Sequence, residues 1–210
     1  MNKIDNLKEE INNSCRFCLR PDKERILYET NNFYVLVSLG PIVEGYLLIV
    51  TKAHIGACLN IPKELLPEFI LLKEKVNKIL INVYGSCLFY EHGKIGSSLT
   101  FNNNSKHCYH AHLHCIPVNL DLNSIIEKEL SFQAFNSFDD AYLKMNDVEK
   151  YLYVENHKIN IYQSDKKLRK QYLRFKLAEA LGKSEEWDWI NNQNWTHIEQ
   201  SIAKLKPYFK

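Results

Sequence analysis

Net charge is nearly absent from this 210-residue chain, with 27 Lys and Arg against 25 Asp and Glu. The balance also holds by halves, 13 basic to 11 acidic over residues 1–118 and 14 to 14 over 119–210. Bulk binding of nucleic acid through charge is therefore not expected. Long hydrophobic runs are missing too: the longest apolar stretches, 34–39 and 46–50, are bounded by Gly, Pro and Glu, and the opening "MNKIDNLKEEINNS" has no apolar core. Neither a signal peptide nor a membrane span is expected, and a cytoplasmic location follows as the expectation. With no secretory signal, the six cysteines read as reduced thiols rather than a disulfide framework. No internal repeat or low-complexity linker divides the chain.

Hydrophobic residues make up 45% of the sequence, enough for one sizeable core with room for an extension. Tyr28 and the segments 33–39 and 46–50 are rich in β-branched and aromatic residues. Asn31-Asn32, Gly40-Pro41 and Gly45 separate them, so they predict an antiparallel meander. Over 60–82 the period changes. Leu65, Phe69, Leu72, Val76 and Ile79 recur at threes and fours after Asn60 and Pro62, predicting an amphipathic helix. Residues 88–91 and 108–118 are further strand candidates, which gives an α+β domain with a helix packed on an antiparallel sheet. Beyond Pro117 the pattern predicts a helix over 122–132, a hairpin over 151–162 turning at Asn156-His157, a helix over 165–181 closed by Gly182, and a last helix near 195–205. Residues 119–210 read as a mixed, mainly helical extension docked on a catalytic domain at 1–118.

The densest chemistry lies in "CYHAHLHCIP", residues 108–117. In a strand, positions two apart share a face, so His110, His112 and His114 line up while Ala111, Leu113 and Cys115 turn to the core. From spacing alone, three imidazoles on one face fit a polar surface, a metal centre or a catalytic strand.

"HAHLHCI" resembles the histidine-triad motif. "CRFC", "GPIVEGYLLIVTKAHI" and "YEHG" resemble the rest of a histidine-triad domain in order and spacing over roughly residues 13–118. The resemblance implies a histidine-triad-like antiparallel sheet and a nucleotide hydrolase acting on phosphoric anhydride or phosphoramidate bonds. In such an enzyme His112 attacks the α-phosphorus and carries the nucleotidyl group, while His114 attends the phosphate or leaving group. A nucleotidyltransferase, or a nucleotide-binding module without catalysis, are the other readings.

In the zinc-containing branch of that family the metal is held by residues that map to Cys15, Cys18, His54 and His110, which implies a structural Zn²⁺. The family's usual ribose-binding acid or amide falls nearest Ser38. Its phosphate-binding residues fall in "NNNSKHC", with Ser105 and His107 as candidates beside Asn104 and Lys106, and Glu91 stands where an amide side chain often faces the leaving group. A looser likeness to tails of some bacterial histidine-triad proteins, with "WDW" at 187–189, adds Gln171 and Arg174 as phosphate contacts. The Trp residues are expected as core anchors of the tail. The implied partner is a nucleotide-containing small molecule, and a homodimer is the expected assembly.

Overall fold

The structure is a computed structural model and describes residues 15–19, 22–94, 109–165 and 167–210. Among these, eight strands form one antiparallel sheet. They are β1 (Ile26–Glu29), β2 (Phe33–Val37), β3 (Leu47–Thr51), β4 (Leu88–Gly93), β5 (His112–Ile116), β6 (Phe132–Phe135), β7 (Tyr151–Glu155) and β8 (Ile159–Tyr162). Their spatial order is β1-β2-β3-β5-β4-β7-β8-β6. The helices of more than one turn are α2 (Leu66–Tyr84), α3 (Leu122–Ile126), α4 (Phe138–Met145), α5 (Tyr172–Ala180) and α6 (Trp195–Leu205), and a single turn, α1 (Arg16–Leu19), precedes the sheet. None of the helices is long and apolar enough to cross a membrane.

Strands β2, β3 and β8 are buried along their whole length, which requires cover on both faces of the sheet. On one face Phe33, Val35, Val37, Ile49, Leu113 and Cys115 meet the stripe of α2 formed by Phe69, Leu72, Val76, Ile79 and Leu80. That stripe has the predicted three- and four-residue spacing. Pro67 stands in the first turn of α2, and Gly85 ends it in the left-handed conformation at φ +87°, the cap that lacks a Cβ penalty. Glu68 accepts hydrogen bonds from the backbone N–H and side-chain amide of Asn32 at 2.9 and 2.6 Å, so the helix holds the β1–β2 turn.

The other face carries Tyr34, Leu36, Tyr46, Leu48, Val50, Tyr90 and Val154, and it is covered by α3 and α5 through Leu122, Ile126, Tyr172, Leu173, Leu177 and Ala178. This cover comes from the carboxy-terminal half. The same half supplies three strands: β7 pairs with β4 from Phe89↔Glu155 to Gly93↔Tyr151, and β8 and β6 extend the sheet outward. Residues 119–210 therefore contribute three strands of the sheet as well as the cover of one face. The hairpin at 151–162 and the last helix fall where the pattern predicts.

Two predicted helices are shorter than their sequences suggest. The one expected over 122–132 stops at Ile126, because Phe132 onward pairs with β8 and ladder bonds replace helical ones. The one expected over 165–181 begins only at Tyr172. Gln171 stands in the left-handed region at φ 54° and breaks the helical path. The tail then returns to the loop between β2 and β3. Gly40 sits at φ +60°, and a Cβ there would lie 2.6 Å from the Asn192 carbonyl oxygen and 2.7 Å from the Trp189 Cα, so only glycine allows the approach.

Candidate active site and metal centre

Cys15 and Cys18 flank the first turn of α1, where the Leu19 N–H bonds the Cys15 carbonyl at 3.1 Å and turns both thiols to one side. His54 follows β3 and His110 precedes β5, two central neighbours in the sheet. The four ligand atoms lie within 4.8 Å of one another. His54 Nδ1 is 3.2 Å from His110 Nδ1. Cys18 Sγ is 3.3 Å from His54 Nδ1 and 3.6 Å from His110 Nδ1, and Cys15 Sγ is 3.4 Å from His110 Nδ1. A tetrahedral ion with zinc-type bonds of about 2.0–2.3 Å would set such ligands roughly 3.3–3.8 Å apart.

The tautomer of His110 agrees with that arrangement. Its Nε2 lies 2.8 Å from the Thr51 carbonyl oxygen, which can only accept, so Nε2 carries the proton and Nδ1 offers a lone pair. Thr51 Oγ1, 3.0 Å away, donates its own hydrogen to the Ala53 carbonyl and is a second acceptor for His110. Outer-shell acceptors of this kind orient an imidazole ligand. Two thiols and two imidazole nitrogens converging in one cluster are a donor set that fits a soft divalent cation.

On β5 the alternation holds. Ala111, Leu113 and Cys115 belong to the core beneath α2, and the histidines occupy the opposite face. Nδ1–H of His112 donates to the His110 carbonyl at 2.6 Å, leaving Nε2 with its lone pair. Burial lowers the pKa of His112 below the usual imidazole range, so the ring is neutral and nucleophilic near pH 7. The Phe17 ring, held between the two cysteines, lies 4.8 Å from the His112 ring, centre to centre. The turn that carries the two cysteines thus sets an aromatic wall against the middle histidine.

His114 is stacked on Tyr90 with centroids 4.3 Å apart, and its Nδ1 is 2.8 Å from the Tyr46 hydroxyl. Its pKa is well below the ordinary value, first through burial and then through His112, His92 and Arg174. Leu48 pairs with His114 and Val50 with His112 on one side, and Tyr90 pairs with His114 on the other. Continuing that register sets His92 across from His112. His92 is a member of the histidine face that the sequence pattern did not single out. Its Nε2 accepts the Leu173 backbone N–H at 3.0 Å, and burial followed by the charge of His112 pushes its pKa down to about 3. Period two on β4 was the available signal, since Tyr90 and His92 share a face once either is placed beside the triad.

The same alternation removes Glu91 from the site. It faces the α2 side, where its carboxylate accepts the Cys58 N–H at 2.7 Å and the Tyr151 hydroxyl at 2.5 Å. Burial raises its pKa to about 7, against those hydrogen bonds. Ser38 is buried at the end of β2, and its hydroxyl bonds only the neighbouring Leu39 carbonyl, at 3.3 Å. Ser105 and His107 lie outside the described residues, as do Asn104 and Lys106. The side chain of Gln171 makes no hydrogen bond among the described residues.

Arg174 reaches the histidine face, with its Nε and one terminal nitrogen bonded to backbone carbonyls. Nε bonds the Trp187 carbonyl at 2.7 Å, and a terminal nitrogen bonds the Glu186 carbonyl at 2.9 Å and also the Gly40 carbonyl. The guanidinium is 5.5 Å from the centre of the Tyr46 ring. Through those backbone bonds it holds the tail against the β2–β3 loop. Of the tail tryptophans, Trp187 packs on the core, whereas Trp195 is half exposed.

Beside Phe17 opens a cleft lined by Ile26, Tyr34 and Leu36, with the Asp22–Arg25 ion pair, 2.6 Å, at its edge. The Tyr34 hydroxyl donates to the Phe17 carbonyl at 2.9 Å, tying the cleft wall to the cysteine turn.

Several solved structures are similar to this chain. A histidine triad nucleotide-binding protein from Sulfolobus tokodaii, described as hypothetical, shares 18% identity over 93% of this chain and 99% of its own, with a TM-score of 0.39. A zinc-bound histidine triad family protein from Mycobacterium smegmatis shares 18% identity over 64% of this chain and 91% of its own, at TM-score 0.38. Yeast Ap4A phosphorylase in complex with Ap4A shares 12% identity over 94% of this chain and 81% of its own, at TM-score 0.45. No match was found among curated protein sequences. A family model described as "Protein similar to CwfJ C-terminal" matches residues 3–133, which is more than half of the chain. The chain belongs to that family of proteins similar to the CwfJ C-terminal region, and its sheet and histidine strand give it a histidine-triad-like fold.

Proposed function

We propose that the protein cleaves nucleotide conjugates, such as dinucleoside polyphosphates, phosphoramidates or nucleotide sugars, through a covalent nucleotidyl-histidine. The observation that carries this reading is the state of His112. Its Nδ1–H is committed to the His110 carbonyl and its Nε2 makes no hydrogen bond among the described residues. A neutral, oriented imidazole of this kind is a competent nucleophile.

In the first half-reaction the Nε2 lone pair forms a bond to the α-phosphorus. The phosphorus–oxygen or phosphorus–nitrogen bond opposite breaks, and its electron pair leaves with the departing group, which takes up a proton. Water, or another acceptor, then attacks the phosphorus and returns the electron pair to His112. With His112 and His114 neutral on β5 and His92 neutral on β4 beside them, the imidazoles supply no fixed positive charge, so in-line positioning supplies much of the acceleration.

Cys15, Cys18, His54 and His110 would hold a zinc ion. With all four positions filled by protein ligands, that ion supplies structure, pinning α1 and Phe17 to the catalytic strand. Residues 1–118 would carry the chemistry, and 119–210 would complete the sheet and roof the site.

The test is direct: incubate the protein with labelled nucleotide conjugates, quench in alkali to preserve phosphoramidates, and map label by mass spectrometry. Label on His112 is expected, with His112→Asn lowering turnover by at least about 10³-fold. Product analysis with and without orthophosphate then separates hydrolysis from transfer. No adduct and equal, negligible turnover of wild type and variant would leave only nucleotide binding.

A further inference from the structure

The hydroxyls behind the third triad histidine have only one satisfactory proton arrangement, and it assigns that histidine a role. Tyr90 is fully buried, and the partner of its hydroxyl is the Tyr46 hydroxyl. Tyr46 is equally buried, and its hydroxyl also meets Nδ1 of His114 at 2.8 Å. A buried hydroxyl hydrogen requires an acceptor. For Tyr90 the acceptor at hand is the Tyr46 oxygen, so Tyr90 donates to Tyr46. The hydrogen of Tyr46 is then directed to His114, whose Nδ1 must accept it. The reverse arrangement, with His114 Nδ1–H donating to Tyr46 and Tyr46 to Tyr90, leaves the Tyr90 hydrogen with nothing to bond. Arg174 reinforces the choice. Its guanidinium sits beside Tyr46 and carries only donors, so the Tyr46 hydrogen is driven away from it, and no carboxylate among the described residues pairs with it to reverse the local field.

We propose that Tyr90, Tyr46 and Arg174 are positioning residues that lock His114 in its Nε2–H tautomer, so that it presents a proton donor, not a lone pair, to the group leaving from phosphorus. This deepens the function proposed above and rests on it for the identity of that group. The step balances: as the bond from phosphorus to the leaving atom breaks, its electron pair takes the Nε2 proton. Tyr46 passes its hydroxyl proton to Nδ1 as Nε2 gives up its own, so His114 stays a neutral imidazole and the charge rests on a tyrosinate beside the Arg174 guanidinium; the water that discharges the intermediate returns a proton to Nε2, and Nδ1 returns its proton to Tyr46. Arg174 and Leu173, which bonds His92, both lie on α5. The carboxy-terminal half is therefore part of the site's proton inventory, and a chain lacking it would have a different His114.

Two readouts test the relay. In ¹⁵N-histidine-labelled full-length protein, long-range ¹H–¹⁵N correlations assign the tautomer of His114 without any substrate. Wild type is expected to show Nε2–H alone, and Tyr46→Phe a mixture. In kinetics, an alkylamine nucleoside phosphoramidate, whose leaving group needs a proton, is compared with a nucleoside p-nitrophenyl phosphate, whose leaving group does not. Tyr46→Phe is expected to lower kcat for the phosphoramidate about 10- to 100-fold, a partial loss of general-acid catalysis, and to shift the ratio of the two kcat values by at least about tenfold. A packing role alone would lower both alike. Tyr90→Phe, which deletes one oxygen at the far end, is the second variant if Tyr46→Phe does not fold, and mixed tautomers are expected there too. Equal losses on both substrates, or His114 protonated on Nδ1 in wild type, overturn the relay. If wild type turns over neither substrate, the proposed function fails while the tautomer still decides the relay.

Discussion

Replacing Glu91 with Gln should make the protein more stable at high pH and less stable at low pH. Glu91 is 2% exposed, and burial raises its pKa from 4.5 to about 7. The folded state therefore binds this proton more tightly than the unfolded state does. Below about pH 4.5 the carboxyl is protonated in both states and costs nothing extra. As pH rises through the window from 4.5 to 7, the unfolded chain ionises first, and wild type loses stability until the folded carboxyl also ionises. At about 1.36 kcal/mol per pKa unit the full loss is about 3 kcal/mol.

Glutamine cannot titrate. It keeps one acceptor for the Cys58 N–H, but its amide nitrogen faces a Tyr151 hydroxyl that already accepts the Leu59 N–H at 3.0 Å. One hydrogen bond is lost, worth about 0.5–1.5 kcal/mol. Glu91→Gln should therefore be about 1 kcal/mol less stable than wild type near pH 3.5, about equal to it near pH 5 and about 2 kcal/mol more stable at pH 8. Urea unfolding of both proteins from pH 3.5 to 9 measures the difference. A difference that stays flat with pH would refute the buried-carboxyl reasoning, and loss of turnover in a folded variant would refute its placement away from the histidines.

Purified protein should contain one zinc per chain by elemental analysis. Chelation should reduce secondary and tertiary structure before or together with activity, and Cys18→Ser should reproduce both losses; a chelated protein that stays folded but inactive would make the metal catalytic instead. Gly40→Ala should cost at least about 1–3 kcal/mol, since it forces a side chain into the left-handed region and against the Asn192 and Trp189 backbone. Its thermal unfolding should show the loss, and limited proteolysis should cut first within residues 183–210, where the tail leaves the loop.

That tail is fastened to the β2–β3 loop along the loop's length. The Gly40 N–H bonds the Gln193 carbonyl at 3.0 Å, Asn194 reaches Pro41 at 2.9 Å and Lys183 reaches Ile42 at 2.7 Å. Ser201 accepts the Gly45 N–H at 2.7 Å, and Lys204 pairs with Glu44 at 3.2 Å. Tyr46 is the next residue along. Its hydroxyl position over His114 thus depends on chain contributed more than a hundred residues later.

Much of the site is legible in the order of residues alone. Strict alternation over His110, His112 and His114 places the imidazoles on one face, because side-chain direction in a strand depends only on the count along the chain. The α2 stripe from Phe69 to Ile79 follows from helical period in the same way. Glu91 shows where counting stops. Its face depends on the pairing of Tyr90 with His114 across two strands, and a shift of one residue would have exchanged Glu91 for His92. Gln171 at φ 54° likewise ends a helix that its neighbours favour. The sequence by itself determined which side chains share a face, and its likeness to a known family pointed to the thiols and imidazoles that could hold a metal. Tertiary structure alone decided that β7 joins β4, that α5 roofs the histidines and that Arg174 stands beside Tyr46, since each is a contact between segments far apart in the chain, chosen by global packing and not by any local preference.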